Sequence, residues 1–485
     1  MLINRTSAAW MLSGALLAPA LAVADVWVFE PSAALDQRVD DNYTIDTEMP
    51  DPVNATRIVG SLGLSRESQN TAFKGLIRVD GLLQQSENES SELSSNQILY
   101  LDSKVSSERT VYGIGINFKQ DTPSRDISAD ITDLSVTAAD TGASVSQDQN
   151  VGRQRLVISP NWSYKLSRRT SVNTQLAYTK VNHELPSVED AAFAQFGNAE
   201  EVAEFLTSTD QVFLVEDELD NFKETAFTIG MKHSWSPLLD LNASISFKDY
   251  RTEIELDKNI VLLPFEDELI DSRERRIHRK PKRTSKSTTT TINIGFERSL
   301  SETLKVGFSV GAYANTKDDT DLIRADDVIV GSEEAVVAAR ADATATENGW
   351  LGGITLTKTT GVTRYTGRFG VDVLPSDIGS QVESLDLVGD MVREISPRMD
   401  FALRARAYEP DAINATGVDE FSRRFISFEP KIIWQYSRAW TLAGSYRYRR
   451  QKSRADANSG ESNAFLISLK YTPPSAIRDA ERGGQ

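Results

Sequence analysis

The sequence predicts an all-β fold: a transmembrane antiparallel up-and-down β-barrel of about 18 strands, between roughly 16 and 18. Three observations predict it. Apolar residues alternate with polar or small ones over most of the chain, the links between these segments alternate short and long, and aromatic residues gather beside the short links. Composition narrows the choice further. The chain has 485 residues, 70 Asp plus Glu against 53 Lys plus Arg, a net charge of -17, 3 His and no Cys. A mean hydropathy of -0.35 excludes a bundle of membrane helices but not a barrel, whose strands are apolar on one face only. The lack of cysteine excludes a disulfide scaffold, thiolate metal sites and cysteine catalysis. The acidity argues against nucleic-acid binding, which needs a basic footprint.

The first element is an export signal over residues 1–24. Arg5 gives the positive start, Met11 to Val23 the short apolar run, and Ala22-Val23-Ala24 the small-x-small pattern that places cleavage between Ala24 and Asp25. The run is shorter than the roughly 20 residues of a membrane span, and Pro19 interrupts it. Domain organisation is then a signal at 1–24, one barrel at 25–472 and a polar periplasmic tail at 473–485.

The strands follow in order at 28–40, 55–66, 71–84, 96–106, 109–121, 153–165, 170–183, 221–235, 239–253, 286–299, 303–316, 345–358, 361–374, 381–394, 399–408, 422–436, 440–452 and 462–472. Each is long enough for the roughly 9–11 residues that cross a bilayer at a tilt. In one of them Leu304, Val306, Phe308 and Val310 alternate with Lys305, Gly307, Ser309 and Gly311. Short turns fall at 167–169, 236–237, 300–302, 396–397 and 437–438. Long polar links fall at 122–152, 184–220, 254–285 and 317–344. Short turns on one rim and long loops on the other are the asymmetry of outer-membrane barrels. The link at 375–380 fits either rim. Trp162, Tyr164, Trp235, Trp434, Tyr436 and Trp440 lie beside short turns on the apolar parity and form a candidate interfacial girdle. A weak repeat of one hairpin, Pro160 through Ser167 against Pro430 through Ser437, suits a barrel grown by hairpins. A secreted soluble β-sandwich array or β-helix is the competing fold; it would need a true core and turns of similar length at both ends.

At its two ends the chain resembles a known group. The start carries Trp27, Phe29 and Pro31 leading to Asp40-Asp41-Asn42-Tyr43. The ending carries Trp440, then Tyr446-Arg447-Tyr448-Arg449-Arg450, Glu461-Ser462-Asn463 and Phe465 to Tyr471. Together these resemble the outer-membrane β-barrels associated with exopolysaccharide and PEP-CTERM protein-sorting systems of Gram-negative bacteria. The resemblance implies a role in polysaccharide or surface-protein export. The chain has no C-terminal Pro-Glu-Pro segment with an apolar anchor, so it would be a component of such a system and not its cargo. No site residue is carried over from the group.

If the apolar parity faces lipid, the other parity lines a lumen. Arg404 and Arg406, Glu429 and Lys431, and Arg447 and Arg449 then fall on three consecutive strands, with Arg364 and Arg368 nearby. Such a wall either selects anionic solutes or acidic sugars or forms a salt-bridged lining that only stabilises the barrel. In the link at 254–285, Arg273, Arg275, Arg276, Arg279, Lys280, Lys282 and Arg283 form a basic run. It suits lipopolysaccharide phosphates or an acidic polymer, or is a solvated loop of balanced charge. Helical signals at 198–206 and 332–339 predict loop helices that constrict or cover the mouth. Acid clusters at 216–218 and 318–321 lack the glycine and terminal Glu of a calcium loop.

His183, His233 and His278 are far apart, and neither a Gly-x-Ser-x-Gly elbow nor a phosphate loop is present. No catalysis, metal or cofactor is expected. The expected location is the bacterial outer membrane. The expected partners are outer-membrane lipid and lipopolysaccharide, together with polysaccharide or export-complex proteins. Two functions stay open: a porin-like pore or export channel for small hydrophilic or anionic solutes or exopolysaccharide, and a non-conducting structural or docking barrel.

Overall fold

The computed structural model describes residues 27–42, 52–86, 92–121, 152–184, 221–255, 258–262, 275–279, 282–322, 340–375, 381–412, 423–453 and 459–473. The expected signal with its cleavage site, the two helical stretches, the acid cluster at 216–218 and the tail beyond 473 lie outside these residues.

The strands are β1 Trp27–Asp40, β2 Val53–Glu67, β3 Thr71–Ser86, β4 Glu92–Ser106, β5 Thr110–Asp121, β6 Gly152–Lys165, β7 Thr170–Glu184, β8 Asn221–Ser236, β9 Leu239–Glu255 and β10 Lys258–Leu262. They continue with β11 Arg275–Arg279, β12 Lys282–Ser299, β13 Leu304–Leu322, β14 Arg340–Thr360, β15 Thr363–Pro375, β16 Gln381–Ser396, β17 Met399–Ala412, β18 Arg423–Gln435, β19 Trp440–Ser453 and β20 Ser459–Tyr471. Eighteen of them form one antiparallel sheet. Each pairs with its neighbours in sequence, β9 pairs with β12 across the β10–β11 hairpin, and β1 pairs with both β2 and β20. The sheet is therefore closed and has no edge strand, the condition for crossing a bilayer with strands.

Register shows why these residues form these strands. Ile229, Ile245, Ile292, Ala312 and Trp350 stand opposite one another in turn across β8, β9, β12, β13 and β14. The large members of this row are exposed, Trp350 by 76 %. The neighbouring row, Thr228, Ser246, Thr291, Tyr313 and Gly349, points to the other face. Side chains alternate faces along a strand, so every strand places its apolar series outside. An apolar band open to the surroundings on a closed sheet is a lipid-facing belt, and the protein is a barrel of the bacterial outer membrane.

The expected strands all occur, and their ends differ. β12 begins at Lys282 and not near 286; β13 runs on to Leu322, and β14 starts at Arg340. The links expected at 254–285 and 317–344 are correspondingly shorter. The first also contains the β10–β11 hairpin, where Ile260 faces Ile277 and cross-strand pairing overrides a reading based on charge alone. Residues 361–362 form a turn and do not open β15; Gly361 has φ 23°, a conformation suited to a residue without Cβ. The link at 376–380 joins β15 to β16 on the same rim as the long loops, which settles its side.

The closing seam is built by the two ends of the chain. Asp40 of β1 is 1 % exposed and binds four groups: Arg38, Arg449 Nη2 at 2.9 Å, the Ser462 hydroxyl at 2.8 Å and the Asn42 backbone N–H at 3.1 Å. Beside it, Asp41 accepts from the Asn463 amide N–H at 2.7 Å and from Asn463 Nδ2 at 2.8 Å, and Asn42 Nδ2 donates to the Glu461 carbonyl at 2.9 Å. β1, β19 and β20 are thus clasped by charge-assisted bonds as well as by ladder pairing.

Two outcomes are expected. Asp40→Ala removes the buried carboxylate that Arg38 and Arg449 share, and equilibrium unfolding in urea with lipid vesicles should show a loss of about 3–5 kcal/mol. Ile294→Arg places a cation in the lipid-facing belt, and the same assay should show a loss of about 2–4 kcal/mol; a neutral result would mean that this face is not in lipid.

Candidate functional site: the lumen wall and its constriction

Arg364 and Arg368 of β15, Arg404 and Arg406 of β17, Glu429 and Lys431 of β18, and Arg447 and Arg449 of β19 occupy the face opposite the apolar belt. The register carries the alternation around the wall: Asp390 stands opposite Arg404, which stands opposite Glu429, and Ser427 stands opposite Arg449. Because β17, β18 and β19 are adjacent at about 4.8 Å spacing, their charges meet. Arg404 Nε donates to Asp390 Oδ1 at 2.7 Å, Arg406 Nε to Asp386 Oδ1 at 3.1 Å and Arg447 Nε to Glu429 Oε2 at 2.8 Å. Arg368 pairs with Asp372, and Arg57 pairs with Asp36 at 2.7 Å. Arg364 is exposed and enters no ion pair among the described residues.

The basic wall is therefore a ladder of alternating sign. Its pairs link neighbouring strands or residues of one strand, except that Arg449 of β19 reaches past β20 to Asp40 of β1, and none of those named reaches across the lumen. The acids Asp386 and Asp390 were missing from the sequence-based wall. Their signal was present: Leu385 and Leu387 flank Asp386 on the alternate parity of β16. Between the ion pairs lies an apolar patch on the same face, formed by Val53, Ala55, Leu82, Ile433, Ala443, Ala464 and Leu466. Leu82 and Leu466 are each 1 % exposed, so this sector of the lumen face is packed and dry.

A second cluster narrows the opposite sector. β14 and β15 are paired only from Gly352 and Val371 down to the turn. Above that point β14 continues with β13, while β15 continues with β16. In the gap, Tyr313, Leu351 and Val373 pack together. The Tyr313 hydroxyl donates to Glu383 Oε2 at 2.9 Å, and Lys248 Nζ of β9 donates to the Val373 carbonyl at 3.3 Å. The last bond spans from β9 to β15, so the lumen is constricted here. Gly349 makes room for it: a Cβ at that position would stand 2.4 Å from Tyr313 Cε1. Sequence reading missed Lys248, Tyr313 and Glu383. The available signal was one tyrosine on a parity of β13 that otherwise carries only small, polar or charged residues, among them Gly307, Ser309 and Gly311.

The other sequence-based candidates are placed as follows. Trp162, Tyr164, Trp235, Trp434 and Trp440 are on the outward face near the short turns, and Tyr436 is in the turn after β18. Trp162 and Tyr164 lie 6.0 Å apart, Trp434 and Tyr436 5.4 Å, and Trp440 and Tyr471 4.8 Å. His233 is also outward, sharing a 2.9 Å hydrogen bond with the Thr170 hydroxyl and standing edge-on to Trp235. Arg275, Arg276 and Arg279 are on β11, and Lys282 and Arg283 open β12, so these members of the basic run belong to strands and not to an open loop. Arg273 and Lys280 lie outside the described residues. Asp318 of the second acid cluster is on β13, where it accepts from the Thr344 hydroxyl at 2.9 Å.

If Lys248 holds the constriction, Lys248→Met should raise single-channel conductance in a planar bilayer while heat-modifiable gel mobility stays unchanged. Unaltered conductance would place the narrowest point elsewhere.

Comparison with known proteins finds remote structural likenesses only. No family model and no curated protein matches the sequence. Among solved structures, the chain is similar to the ferric-catecholate import receptor Fiu of E. coli K12, with 8% identity over 91% of this chain and 81% of that one and a TM-score of 0.43. It is similar to OccK7 (OpdD) of Pseudomonas aeruginosa, with 9% identity over 94% and 100% and a TM-score of 0.42. It is also similar to OprD of Pseudomonas aeruginosa, with 10% identity over 93% and 96% and a TM-score of 0.37. Likenesses this remote carry no argument of their own; the closed sheet of eighteen strands with its outward apolar belt makes this chain an outer-membrane β-barrel.

Proposed function

We propose that the protein is a passive outer-membrane channel for small hydrophilic solutes, with a preference for anions, and that it performs no chemistry. The observation that carries this reading is the direction of the lumenal ion pairs. They run along the wall, from β16 to β17 and from β18 to β19, and so leave charge facing the lumen without bridging it. Arg364 adds a cation with no ion-pair partner among the described residues. Guanidinium groups suit carboxylates, phosphates and sulfated or uronic sugars, because their planar donors match paired oxygens. A water-filled lumen with such a lining passes anions more readily than cations.

A second reading has its own support. The dry patch around Leu82 and Leu466 and the Lys248 tie to β15 both reduce open lumen. They favour a barrel that is closed at rest and serves as an anchor or docking element of an export system. The resemblance of the chain ends to barrels of exopolysaccharide and PEP-CTERM systems extends either reading: the solute becomes a polysaccharide chain, or the partner becomes an export-complex protein.

Planar-bilayer recording on the refolded chain separates the two. The channel reading expects stable conductance with an anion-to-cation permeability ratio above one. Asp386→Asn with Asp390→Asn, which removes the negative charges beside Arg406 and Arg404, should raise that ratio, and Arg404→Glu with Arg406→Glu should lower it. Folded, inserted protein without conductance would discard the channel in favour of the docking barrel.

A further inference from the structure

The outward face carries a charge feature that the lumen does not explain. Lys180 of β7, Lys223 of β8, Arg251 of β9 and Lys286 of β12 stand directly opposite one another, in that order, on four consecutive strands. Four residues nearer the short-turn rim, Leu176, Phe227 and Phe247 form a matching row on the first three of these strands, each well exposed. At about 3.3 Å rise per residue on tilted strands, the cations stand about 10 Å above the apolar belt toward the long-loop rim. The row between them is Tyr178, Thr225, Asp249 and Thr288, which is polar or amphipathic throughout. The four heads cover about 14 Å at normal strand spacing.

Like charges directly opposite on a sheet repel, so four in one row cost stability unless an anion answers them. The protein itself answers one. Arg251 Nη2 pairs with Asp249 at 2.8 Å. Asp318, opposite Lys286, accepts from the Thr344 hydroxyl, and Glu253 stands two residues beyond Arg251 on the same strand. Among the described residues no ion pair engages Lys180, Lys223 or Lys286. Lys223, Arg251 and Lys286 are exposed and Lys180 is half-buried. Their height is that of the headgroups of the outer leaflet.

We infer that this row is a binding site for the phosphate groups of a phosphorylated glycolipid of the outer leaflet. The acyl chains lie on Leu176, Phe227 and Phe247, and the phosphates meet the cations above them. The lysines supply flexible point charges and Arg251 a planar fork. The row lies on the barrel wall, with Lys286 three residues beyond Arg283 of the basic run on β12, and is independent of whether the lumen conducts.

The test uses the refolded full-length mature chain in detergent micelles, with bis-phosphorylated lipid A as probe and native mass spectrometry to measure retention. The quadruple Ala variant at Lys180, Lys223, Arg251 and Lys286 should retain the lipid at least about tenfold more weakly, since each cation near a membrane surface adds a substantial fraction of a tenfold factor. Arg298→Ala with Lys358→Ala, outward cations at the opposite rim, should change nothing. Dephosphorylated lipid A should bind the native chain as weakly as the phosphorylated form binds the quadruple variant. Millimolar inorganic phosphate should not displace the lipid. Equal retention by the quadruple variant or indifference to dephosphorylation overturns the site, and displacement by free phosphate would make it a site for soluble anions. Heat-modifiable mobility reports folding, and Lys223→Gln with Lys286→Gln serves if the quadruple variant does not fold.

Discussion

A bilayer offers no water to a backbone amide, and this structure depends on meeting that constraint at one place, where β1 joins β20. The other pairings are hairpins between neighbours and follow from local sequence. The closing pair instead joins residues some four hundred positions apart, such as Val39 with Phe465, and nothing local enforces it. The clasp around Asp40 supplies the missing specificity. It fixes register, because a slip of one residue would turn Asp40 and Arg38 outward into lipid together and leave Arg449 without its carboxylate. The motifs at the chain ends that suggested a family resemblance are the ones that meet here: Asp40-Asp41-Asn42 on one side, Arg449 and Glu461-Ser462-Asn463 on the other.

The lumen handles its charge in the same economical way. A net charge of -17 does not make its wall acidic, because the inward parity of β15 to β19 is rich in arginine. Each of Arg368, Arg404, Arg406 and Arg447 has a carboxylate beside it. Pairs of this kind, partly open to solvent, contribute modestly to stability. Their larger effect is to hold long side chains flat against the wall. Constriction is left to a different set: Tyr313 over Gly349, Glu383 as acceptor, and Lys248 reaching β15 where the β14 ladder has ended.

Much of the fold was legible because a half-buried strand writes its faces into the sequence with period two. Leu304 to Val310 on β13 shows the rule, and the strand order needed only short turns and parity. What could not be read had two physical causes. Strand extension beyond the belt depends on pairing and not on hydrophobicity, so the polar lengths 282–285 and 317–322 looked like loop. Contacts across the lumen depend on how the wall curves in three dimensions. Lys248 and Val373 are 125 residues apart, and no spacing connects them. The wall arginines were visible by parity, but their carboxylate partners on β16 were passed over because Asp386 and Asp390 sit among leucine and valine.

Strand length varies around the barrel, from 12 residues in β5 to 18, 19 and 21 in β12, β13 and β14. The extra length lies beyond the apolar belt, so the rim slopes and one quadrant stands as a parapet. A sloping rim has a compass bearing in the plane of the membrane. Among the described residues the strand wall is raised on the β12 to β14 side alone, so two such barrels in one membrane can differ in heading while sharing every contact with the lipid.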